Sequence, residues 1–399
     1  MTDPALIFET AVAGPATHVL LIGVGDYPWL VGGTSEDADN AQGMAQLAAP
    51  PRSMRALADW FIADKFVNPD RPLASLALVL SEPKPARYTN PKTGARSNPL
   101  PRGTAEDVKG AIRAWVDRAD DDPDHLLIFA FCGHGVSAGN SVLLCRDYAS
   151  IKNARFNGAI NFNHFYATVQ SFTPNHQLFF IDACRTPDGV VNAMMGMPSV
   201  GQTVLDARPM DQRGGTPALQ SIHFATSPHT QSWGRTKGLS LYTEALLRAL
   251  NGGGSQPDLQ DWVGTNGLQA ALAAYTSRIA KIEGVEQAPD RTSSPNFRVH
   301  FPAEIKLPVY FRCAPHDVWK VPCSFEAKSS ISVHPGVKHK PAKVAGIDPA
   351  MISYEMDLPI ETYDFAACFG KRAPYFDAVK RKTVFPPLAE CSFEIEKRP

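Results

Sequence analysis

The sequence lacks any apolar run that approaches the roughly 20 residues needed to cross a bilayer. It also lacks the N-terminal basic segment, followed by an apolar core, that marks a signal peptide. Neither sign of charge predominates, because 39 basic and 40 acidic residues leave a net charge of −1. This balance does not favour nucleic acids or anionic membranes as partners. We therefore expect a cytoplasmic protein that binds neither.

Cysteine is sparse and widely spaced, with seven residues and no C-x-x-C pair. Without closely spaced pairs, a zinc ribbon is not expected. Cys132 and Cys145 lie in or beside apolar runs and are most simply small core residues. The pattern favours a reduced protein without a bound metal.

The apolar content is high enough for a large core, since 44% of the 399 residues are hydrophobic. This length predicts two domains, or one large domain with an appendage. From about residue 305 onward, short alternating segments with proline-rich joints predict strands. We therefore expect a main domain over residues 1–302 and a small β-rich domain, of unknown role, over residues 303–399.

Two apolar runs of the main domain end in residues that can do chemistry. Residues 178–181 precede Asp182 and Cys184, and residues 126–131 precede His134. Such runs are typical of buried strands in a parallel sheet, whose sites lie beyond the carboxyl ends of the strands. The 50 residues from His134 to Cys184 allow one crossover. Both side chains are therefore expected at one edge of the sheet, where an imidazole and a thiol can form a cysteine-nucleophile pair.

Other segments complete an α/β pattern. Apolar runs predict strands at residues 18–24, 75–80, 221–226 and 296–301, and helical spacing predicts helices over residues 41–49, 52–66, 104–119, 239–250 and 267–282. Thr104 opens an N-terminal capping pattern. Asp37 and Asp39 precede the helix predicted over 41–49 and can cap it, since carboxylates favour helix N-termini.

Three segments have the composition of irregular structure. Residues 82–103 hold five prolines and five basic residues and are expected to form a solvated surface loop. The aspartates at 120–124 predict a polar turn; a divalent-cation site is the minor alternative, because they lack a recognisable loop spacing. Residues 187–219, which carry Arg208 and Arg213, are unusually long for an inert connection.

The two strand-end motifs resemble those of caspases and metacaspases, a clan of cysteine peptidases. The matching stretches are residues 131–136 around the histidine and 181–185 around the cysteine. Their separation is similar to that of caspases, whose histidine lies about 50 residues upstream of the cysteine. The stretch 23–27 and the helix that begins near Ser240 add to the resemblance, which covers about residues 15–302.

This resemblance implies both a fold and an activity. The fold is a caspase-like three-layer α/β arrangement, in which helices flank a mainly parallel central sheet. Cys184 is implied as the nucleophile, and His134 as the general acid that protonates the leaving amine. The backbone N–H groups of Gly135 and Cys184 are implied to bind the developing oxyanion.

One departure from animal caspases bears on the substrate. Those enzymes have glutamine two residues before the cysteine and use arginines to hold an aspartate at P1, whereas this chain has Asp182 there, as metacaspases do. In metacaspases this aspartate, with a second one from the loop after the first strand, holds a basic P1 residue. Asp37 is the best candidate for the second, with Asp39 close behind. Arg or Lys at P1 is expected, because a carboxylate pairs well with a guanidinium. Asp182 can instead be structural, holding the following loop.

The segment 187–219 lies where caspases carry the linker that is cleaved on activation. Arg208 and Arg213 are candidate cut sites, for this enzyme or for an upstream activating protease, and a loop that is never cut is the alternative. Bacterial relatives often belong to defence or regulated-death systems. No cofactor is expected, and a calcium requirement has no clear site in the sequence.

Two other functions stay open. One is a catalytically silent caspase-like scaffold that acts in protein interaction through its C-terminal domain. The presence of both His134 and Cys184 argues against it. The other is a different cysteine hydrolase, or a transpeptidase, on the same fold. For a peptidase, the expected partners are protein substrates and a possible activating regulator.

Overall fold

The computed structural model describes residues 3–37, 41–137, 140–185, 200–209, 218–227, 230–256, 262–292 and 295–399. The chain divides into two compact units, residues 1–247 with 276–301 and residues 248–275 with 302–399. The second unit therefore includes residues 248–275, which the sequence assigns to the main domain. Within the described ranges, no helix has both the length and the apolar character needed to pass through a bilayer.

The first unit is organised around a large, mostly parallel sheet. In chain order, the described strands up to residue 300 are β1 (Leu6–Glu9), β2 (Thr17–Val24), β3 (Leu73–Ser81), β4 (Leu126–Cys132), β5 (Gly135–Ser137), β6 (Ser141–Leu144), β7 (Ala159–Asn161), β8 (His176–Asp182), β9 (Leu219–Phe224), β10 (Val263–Gly264, in the second unit), β11 (Asp290–Arg291) and β12 (Arg298–His300). The large sheet has the order β1-β3-β2-β4-β8-β9-β11. Its middle strands are parallel, and β1 and β11 are antiparallel edges.

The central strands confirm the interpretation of the apolar runs. Every residue of β2 and β4 is buried, as is all of β8 except its first residue. Strands of a parallel sheet are covered on both faces, so their sequences are continuously apolar rather than alternating. The strands predicted at 18–24, 126–131 and 178–181 are therefore present, with ends that differ by one or two residues.

Helices lie on both faces of this sheet. In the part of the chain that the structure describes, the α-helices are α1 (Ala49–Ile62), α2 (Ala105–Asp117), α3 (Phe162–Val169), α4 (Leu241–Arg248) and α5 (Thr265–Glu283). Leu20 and Ile22 of β2 share a core cluster with Trp115 of α2. Gly23, which points to the other face of β2, lies against Met54 of α1. The predicted three-layer α/β fold is confirmed.

Two predictions about helix ends had different outcomes. The capping pattern at Thr104 is confirmed, since its side chain accepts the backbone N–H of Asp107, and the Asp107 side chain accepts the backbone N–H of Thr104. The helix predicted over residues 41–49 is wrong. Gln42 and Gly43 have φ values of 50° and 75°, which interrupt a right-handed helix, and α1 begins only at residue 49.

The second unit contains the β-rich region expected near the C-terminal end of the sequence. Its strands are β13 (Leu307–Ala314), β14 (Cys323–Lys328), β15 (Val333–His339), β16 (Tyr354–Leu358), β17 (Thr362–Cys368), β18 (Ala378–Thr383) and β19 (Ala389–Glu394). They form two sheets, of order β16-β13-β19 and β15-β14-β17-β18. Phe311 of the first sheet stacks on Phe325 of the second, with ring centroids 5.2 Å apart. A shared aromatic core therefore holds these sheets together.

Candidate active site

The register of β4 against β8 determines where the two reactive side chains lie. Cys132 and Asp182, the last residues of these parallel strands, are paired. His134 and Cys184 each follow two residues later, so both leave the sheet at the same edge. They line one cavity of about 390 Å³. The structure thus brings the imidazole and the thiol into a common site.

Three segments that follow central strands contribute most of the cavity lining. They are residues 43–50, residues 132–136 and residues 231–236. The third segment belongs to a stretch without helix or strand, residues 230–236, which we call the pocket loop. Asp182, Cys184 and Ser240 complete the described lining. The cavity therefore lies beyond the carboxyl ends of β4 and β8, where parallel sheets place their sites.

His134 is held from two sides. Its Nε2 lies 2.7 Å from the carbonyl oxygen of Ala45, and its backbone N–H donates to the phenol oxygen of Tyr27 at 2.8 Å. The Tyr27 ring also packs against the imidazole, with ring centroids 4.9 Å apart. A carbonyl oxygen can only accept, so Nε2 carries the proton of the neutral ring. The lone pair on Nδ1 is then the basic position of this histidine.

The two reactive groups are neutral at pH 7. Burial lowers the pKa of His134 below its ordinary 6.5, and the hydrogen bond to Ala45 opposes this. Burial raises the pKa of Cys184 above its ordinary 9.0, and the N–H of Ser232 opposes this. In both cases the charged form loses hydration when it leaves water. The resting site therefore holds a thiol and an imidazole rather than an ion pair.

The sulfur of Cys184 contacts the pocket loop. The backbone N–H of Ser232 donates to Sγ at 3.3 Å, and the thiol lies 3.7 Å from the carbonyl oxygen of Ser232. The next residue, Arg185, donates its backbone N–H to the carbonyl oxygen of Thr230 at 3.1 Å. The segment that carries Cys184 thus runs beside the pocket loop.

Gly135 lies directly against the backbone of Cys184. A Cβ at this position would be 2.8 Å from the carbonyl oxygen of Cys184 and 2.9 Å from the Cβ of Ala183. Both distances are far shorter than ordinary carbon contacts, so only glycine permits this approach. The two residues whose N–H groups were predicted to bind the oxyanion therefore lie side by side.

Asp182 is only 4% exposed, yet it borders the cavity. Its Oδ1 accepts the hydroxyl of Ser232 at 2.7 Å, while Oδ2 accepts the hydroxyls of Ser240 and, at 3.1 Å, of Thr243. The thiol of Cys132 lies 3.4 Å from Oδ2. Burial raises the pKa of Asp182, although the hydroxyl groups oppose it. The carboxylate therefore ties β8 to the pocket loop and to the start of α4.

Arg235 is the basic side chain in the described lining of the cavity. Its guanidinium is engaged by the carboxylates of Glu244 at 2.5 Å and of Glu283 at 2.6 Å. Two carboxylates around one guanidinium leave no positive charge uncompensated there. Asp182 is the acidic side chain in the described lining, and the basic one, Arg235, is already paired.

The second predicted pocket carboxylate is not part of this lining. Asp37 is absent from the described residues that border the cavity, and its backbone N–H donates to the carbonyl oxygen of Trp29 at 3.1 Å. Asp39 lies outside the described residues. Of these three aspartates, Asp182 is the one found among the described residues that line the cavity with Cys184 and His134.

Of the two candidate cut sites, Arg208 is described and Arg213 is not. The Arg208 guanidinium forms an ion pair with Asp120 and lies 4.2 Å from the ring centre of Phe172. Its backbone N–H donates to Ser171 Oγ at 2.9 Å. Arg208 is thus docked on the first unit through its side chain and its backbone.

Protein contacts occupy the acidic turn at residues 120–124. Besides the pair between Asp120 and Arg208, Asp121 lies 3.0 Å from Nε2 of His125. Across the part of the chain that the structure describes, no group of three or more His, Cys, Asp or Glu side chains is arranged to hold a metal ion. The polar-turn interpretation of this segment accounts for the contacts seen.

Sequence reasoning missed the residues that position the site. Ala45 acts through its carbonyl oxygen, and because every residue has such a group, the sequence does not indicate which one is used. Ser232 lies in a loop with no recognisable pattern. Tyr27 and Ser240 belong to stretches that carry the family resemblance, and Ser240 also accepts the backbone N–H of Thr243 at the start of α4. A serine just before a predicted helix is a capping signal that could have drawn attention to it.

A mainly parallel sheet that brings a thiol and an imidazole to one cavity is an arrangement found in cysteine-dependent hydrolases. The model of the caspase domain, a peptidase family, matches residues 16–300. This stretch is well over half of the chain and includes both His134 and Cys184. The chain therefore belongs to the caspase-domain family of peptidases, as the strand-end motifs had indicated.

Three individual proteins that resemble this chain share no more than 28% sequence identity with it. An uncharacterized protein of Sinorhizobium fredii, y4kE, is 28% identical over 224 residues, which is 50% of this chain and 59% of that protein. The chain therefore spans less than two thirds of that relative. Caspase-1 of Spodoptera frugiperda is 13% identical and aligns with a TM-score of 0.40 over 70% of this chain and 89% of its own. A Geobacter sulfurreducens protein is 14% identical, with a TM-score of 0.37 over 70% of this chain and 94% of its own.

Proposed function

We propose that the protein is a cysteine endopeptidase that cleaves after Arg or Lys, with Cys184 as nucleophile and His134 as its proton-transfer partner. The observation that carries the proposal is the register of Cys132 with Asp182, which delivers both side chains to one cavity. Membership of the caspase-domain family supports peptide-bond hydrolysis and protein substrates. The order of the chain, histidine before cysteine on neighbouring strands, is consistent with this chemistry.

The proposed reaction starts from the neutral pair. As Sγ of Cys184 attacks the scissile carbonyl carbon, Nδ1 of His134 takes the thiol proton. The imidazolium then gives this proton to the leaving amine, the C–N bond breaks, and a thioester remains. A water molecule that loses its proton to Nδ1 hydrolyses the thioester and releases the acid product, which restores the thiol.

The surrounding backbone supports both charges that form in these steps. When His134 becomes cationic, the bond from Nε2–H to the carbonyl oxygen of Ala45 becomes charge-assisted and stronger. The negative charge on the substrate oxygen requires donors, and we assign them to the N–H groups of Gly135 and Cys184, two residues whose backbones lie in close contact.

A basic P1 residue fits the charges of the described cavity. A carboxylate offers about four lone-pair sites, and Oδ1 of Asp182 accepts only from Ser232 among the described residues. We propose that a P1 ammonium or guanidinium approaches this atom. Because Arg235 is already paired with Glu244 and Glu283, it is a poor partner for an acidic P1 residue. A second pocket carboxylate, at Asp37 or Asp39, stays a prediction.

The test uses peptides that differ only at P1, with arginine, lysine, citrulline or aspartate. We expect turnover of the arginine and lysine peptides, with and without calcium, and little turnover of the other two. Citrulline has the shape of arginine without its charge, so it isolates the contribution of the ion pair. Cys184→Ala should abolish cleavage, whereas Cys145→Ala, a change at a buried thiol outside the cavity lining, should keep it. Preferred cleavage after aspartate would contradict the proposal.

A catalytically silent scaffold is the competing function, and one observation favours it. The thiol is neutral and its sulfur is engaged by Ser232, so the resting site is not a ready nucleophile. The same peptide panel decides between the two. If none of the peptides is cleaved while an alkylating agent still reacts with Cys184, the scaffold is the better account. A cleaved peptide incubated with a free amine would reveal a transpeptidase through the amide product.

We further propose processing in the segment after Cys184, by the enzyme itself or by another protease. Arg208 must leave Asp120 and Phe172 before it can enter an active site. We also propose that the protein works in the cytoplasm, in a bacterial defence or regulated-death system. The seven cysteines, all within the described residues and all free thiols, are consistent with a reducing compartment.

A further inference from the structure

We propose that Gln287 is a positioning residue for the P1 pocket, an inference that rests on the proposed function and names a determinant of its specificity. Gln287 is 6% exposed and lies between α5 and β11. It is not part of the described cavity lining. It acts through the pocket loop, whose Ser232 contacts both the selecting carboxylate and the attacking sulfur.

Ser232 contacts both the carboxylate proposed to bind P1 and the sulfur proposed to attack the substrate. Its hydroxyl donates to Oδ1 of Asp182 at 2.7 Å, and its backbone N–H donates to Sγ of Cys184 at 3.3 Å. Because Ser232 lies outside the helices and strands, no regular hydrogen-bond ladder determines its place. Contacts from other parts of the first unit must therefore hold the loop against both groups.

Gln287 supplies such contacts. Its Oε1 accepts the backbone N–H of Trp233 at 3.0 Å, and its Nε2 donates to the carbonyl oxygen of Ala225 at 3.1 Å. The same Nε2 lies 3.4 Å from the hydroxyl oxygen of Ser232. One buried amide therefore joins the pocket loop to the residue that follows β9. All three bonds connect parts of the chain more than 50 residues apart in sequence.

A second contact from the same segment strengthens the attachment. Glu283, four residues before Gln287, pairs with Arg235 of the pocket loop at 2.6 Å. The loop is thus held at Trp233 by a buried amide and at Arg235 by a more exposed ion pair. Buried hydrogen bonds resist exchange with water, whereas exposed pairs are weak. Gln287 is therefore the stronger of these two attachments.

Loss of the Gln287 side-chain amide should affect the P1 preference as well as the stability of the protein. Without it, the N–H of Trp233 and the carbonyl of Ala225 lose a partner, and the pocket loop can move away from β9. Ser232 then no longer orients Oδ1 of Asp182 or contacts the sulfur. Misplacement of a positioning group by about 1 Å can cost roughly 100-fold in rate. Since Asp182 distinguishes charged from neutral P1 side chains, the preference for charge should fall.

The test compares Gln287→Ala with Gln177→Ala. Gln177 is a fully buried glutamine near the start of β8, at the opposite end of the strand from Asp182, and its amide also donates to two backbone carbonyls. For each variant, kcat/KM is measured on peptides with arginine or citrulline at P1. Amide hydrogen exchange of residues 230–236 is followed in parallel. Gln287→Met, which keeps the size of the side chain but makes none of its bonds, repeats the test if the alanine variant does not fold.

We expect Gln287→Ala to lower the ratio of kcat/KM for the arginine peptide to kcat/KM for the citrulline peptide roughly tenfold. Amide hydrogen exchange in the pocket loop should become faster. Gln177→Ala should reduce thermal stability and leave both the kcat/KM ratio and the exchange rate of the pocket loop unchanged. Unchanged exchange in the Gln287 variants would overturn the positioning role, whatever the protein cleaves. Faster exchange with an unchanged ratio would overturn the link to specificity. A wild-type protein with no preference for arginine would refute the proposed specificity itself, and the exchange data would still decide whether Gln287 holds the loop.

Discussion

The phenol of Tyr27 connects His134 to a neighbouring strand. Its oxygen accepts the backbone N–H of His134 at 2.8 Å, and its hydroxyl donates to the carbonyl oxygen of Leu144 at 3.2 Å. Tyr27 follows β2, His134 follows β4, and Leu144 is the last residue of β6. One fully buried hydroxyl group therefore joins three segments at the edge of the sheet and holds His134 by its backbone.

The first prediction concerns this hydroxyl. Tyr27→Phe leaves the N–H of His134 without its acceptor, and such a loss costs about 1–3 kcal/mol when the group is buried. We expect a lower melting temperature and a lower kcat, with KM changed less, because the change acts on His134 rather than on the P1 pocket. Tyr88→Phe removes a phenol contact to Asp59 away from the cavity and should lower stability alone. Equal kcat and KM values in the Tyr27→Phe and Tyr88→Phe variants would contradict the role of Tyr27 in holding His134.

The second prediction uses the contact between Gly135 and Cys184. Gly135→Ala forces a methyl group against the carbonyl oxygen of Cys184, so β5 must shift away from the nucleophile. We expect kcat/KM to fall at least roughly tenfold, because the oxyanion donors separate. Gly110→Ala is the matched control, since a Cβ at this exposed position of α2 meets nothing within 4 Å. It should stabilise the helix by up to about 1 kcal/mol and leave activity intact.

The third prediction concerns pH. Burial holds the pKa of His134 below 6.5, so the ring stays neutral until the pH falls below that value. Burial holds the pKa of Cys184 above 9.0, so the thiol stays protonated until the pH rises beyond it. For a reaction that starts from the neutral pair, kcat/KM should be level between these values and should fall on the acid side as Nδ1 takes a proton.

Alkylation of Cys184 provides an independent measurement of its charge state. Iodoacetamide reacts with the thiolate, so its rate at Cys184, followed by peptide mapping, should keep rising as the pH increases from 6.5 to 9.0. A rate that is already level near neutrality would mean that a thiolate is present at rest. In that case the neutral starting state would be wrong.

The fourth prediction concerns processing. Because Arg208 is docked against Asp120 and Phe172, we expect the first cut of the segment 187–219 to occur elsewhere. Mass spectrometry of fragments from the wild type, with Cys184→Ala as the control for self-cleavage, measures this directly. Arg208→Ala should leave the fragment pattern unchanged. A first fragment that ends at Arg208 would show that the docked state opens readily. An intact, fully active wild type would refute processing.

The central strands and the location of His134 and Cys184 at one edge of the sheet could be predicted, because contiguous apolar runs and chain order are local properties. The helix over 41–49 could not be excluded in this way. The backbone there turns at Gln42 and Gly43, and the side chain of Gln46 bonds to both the N–H and the carbonyl of Tyr27, at 2.8 Å each. A contact between residues 19 positions apart in the chain thus overrides the local helical preference.

By itself, the sequence determined the layered α/β fold, the family, and the two residues that carry the proposed chemistry, since each follows from a short run of residues. Only the tertiary structure decided that the carbonyl oxygen of Ala45 contacts the imidazole and that Ser232 contacts both Asp182 and Cys184. Those outcomes depend on backbone atoms and on contacts between distant segments, which acquire a position only when the strands pair and the loops pack. A sequence pattern records side chains along the chain, whereas a site is made of atoms that the fold brings together.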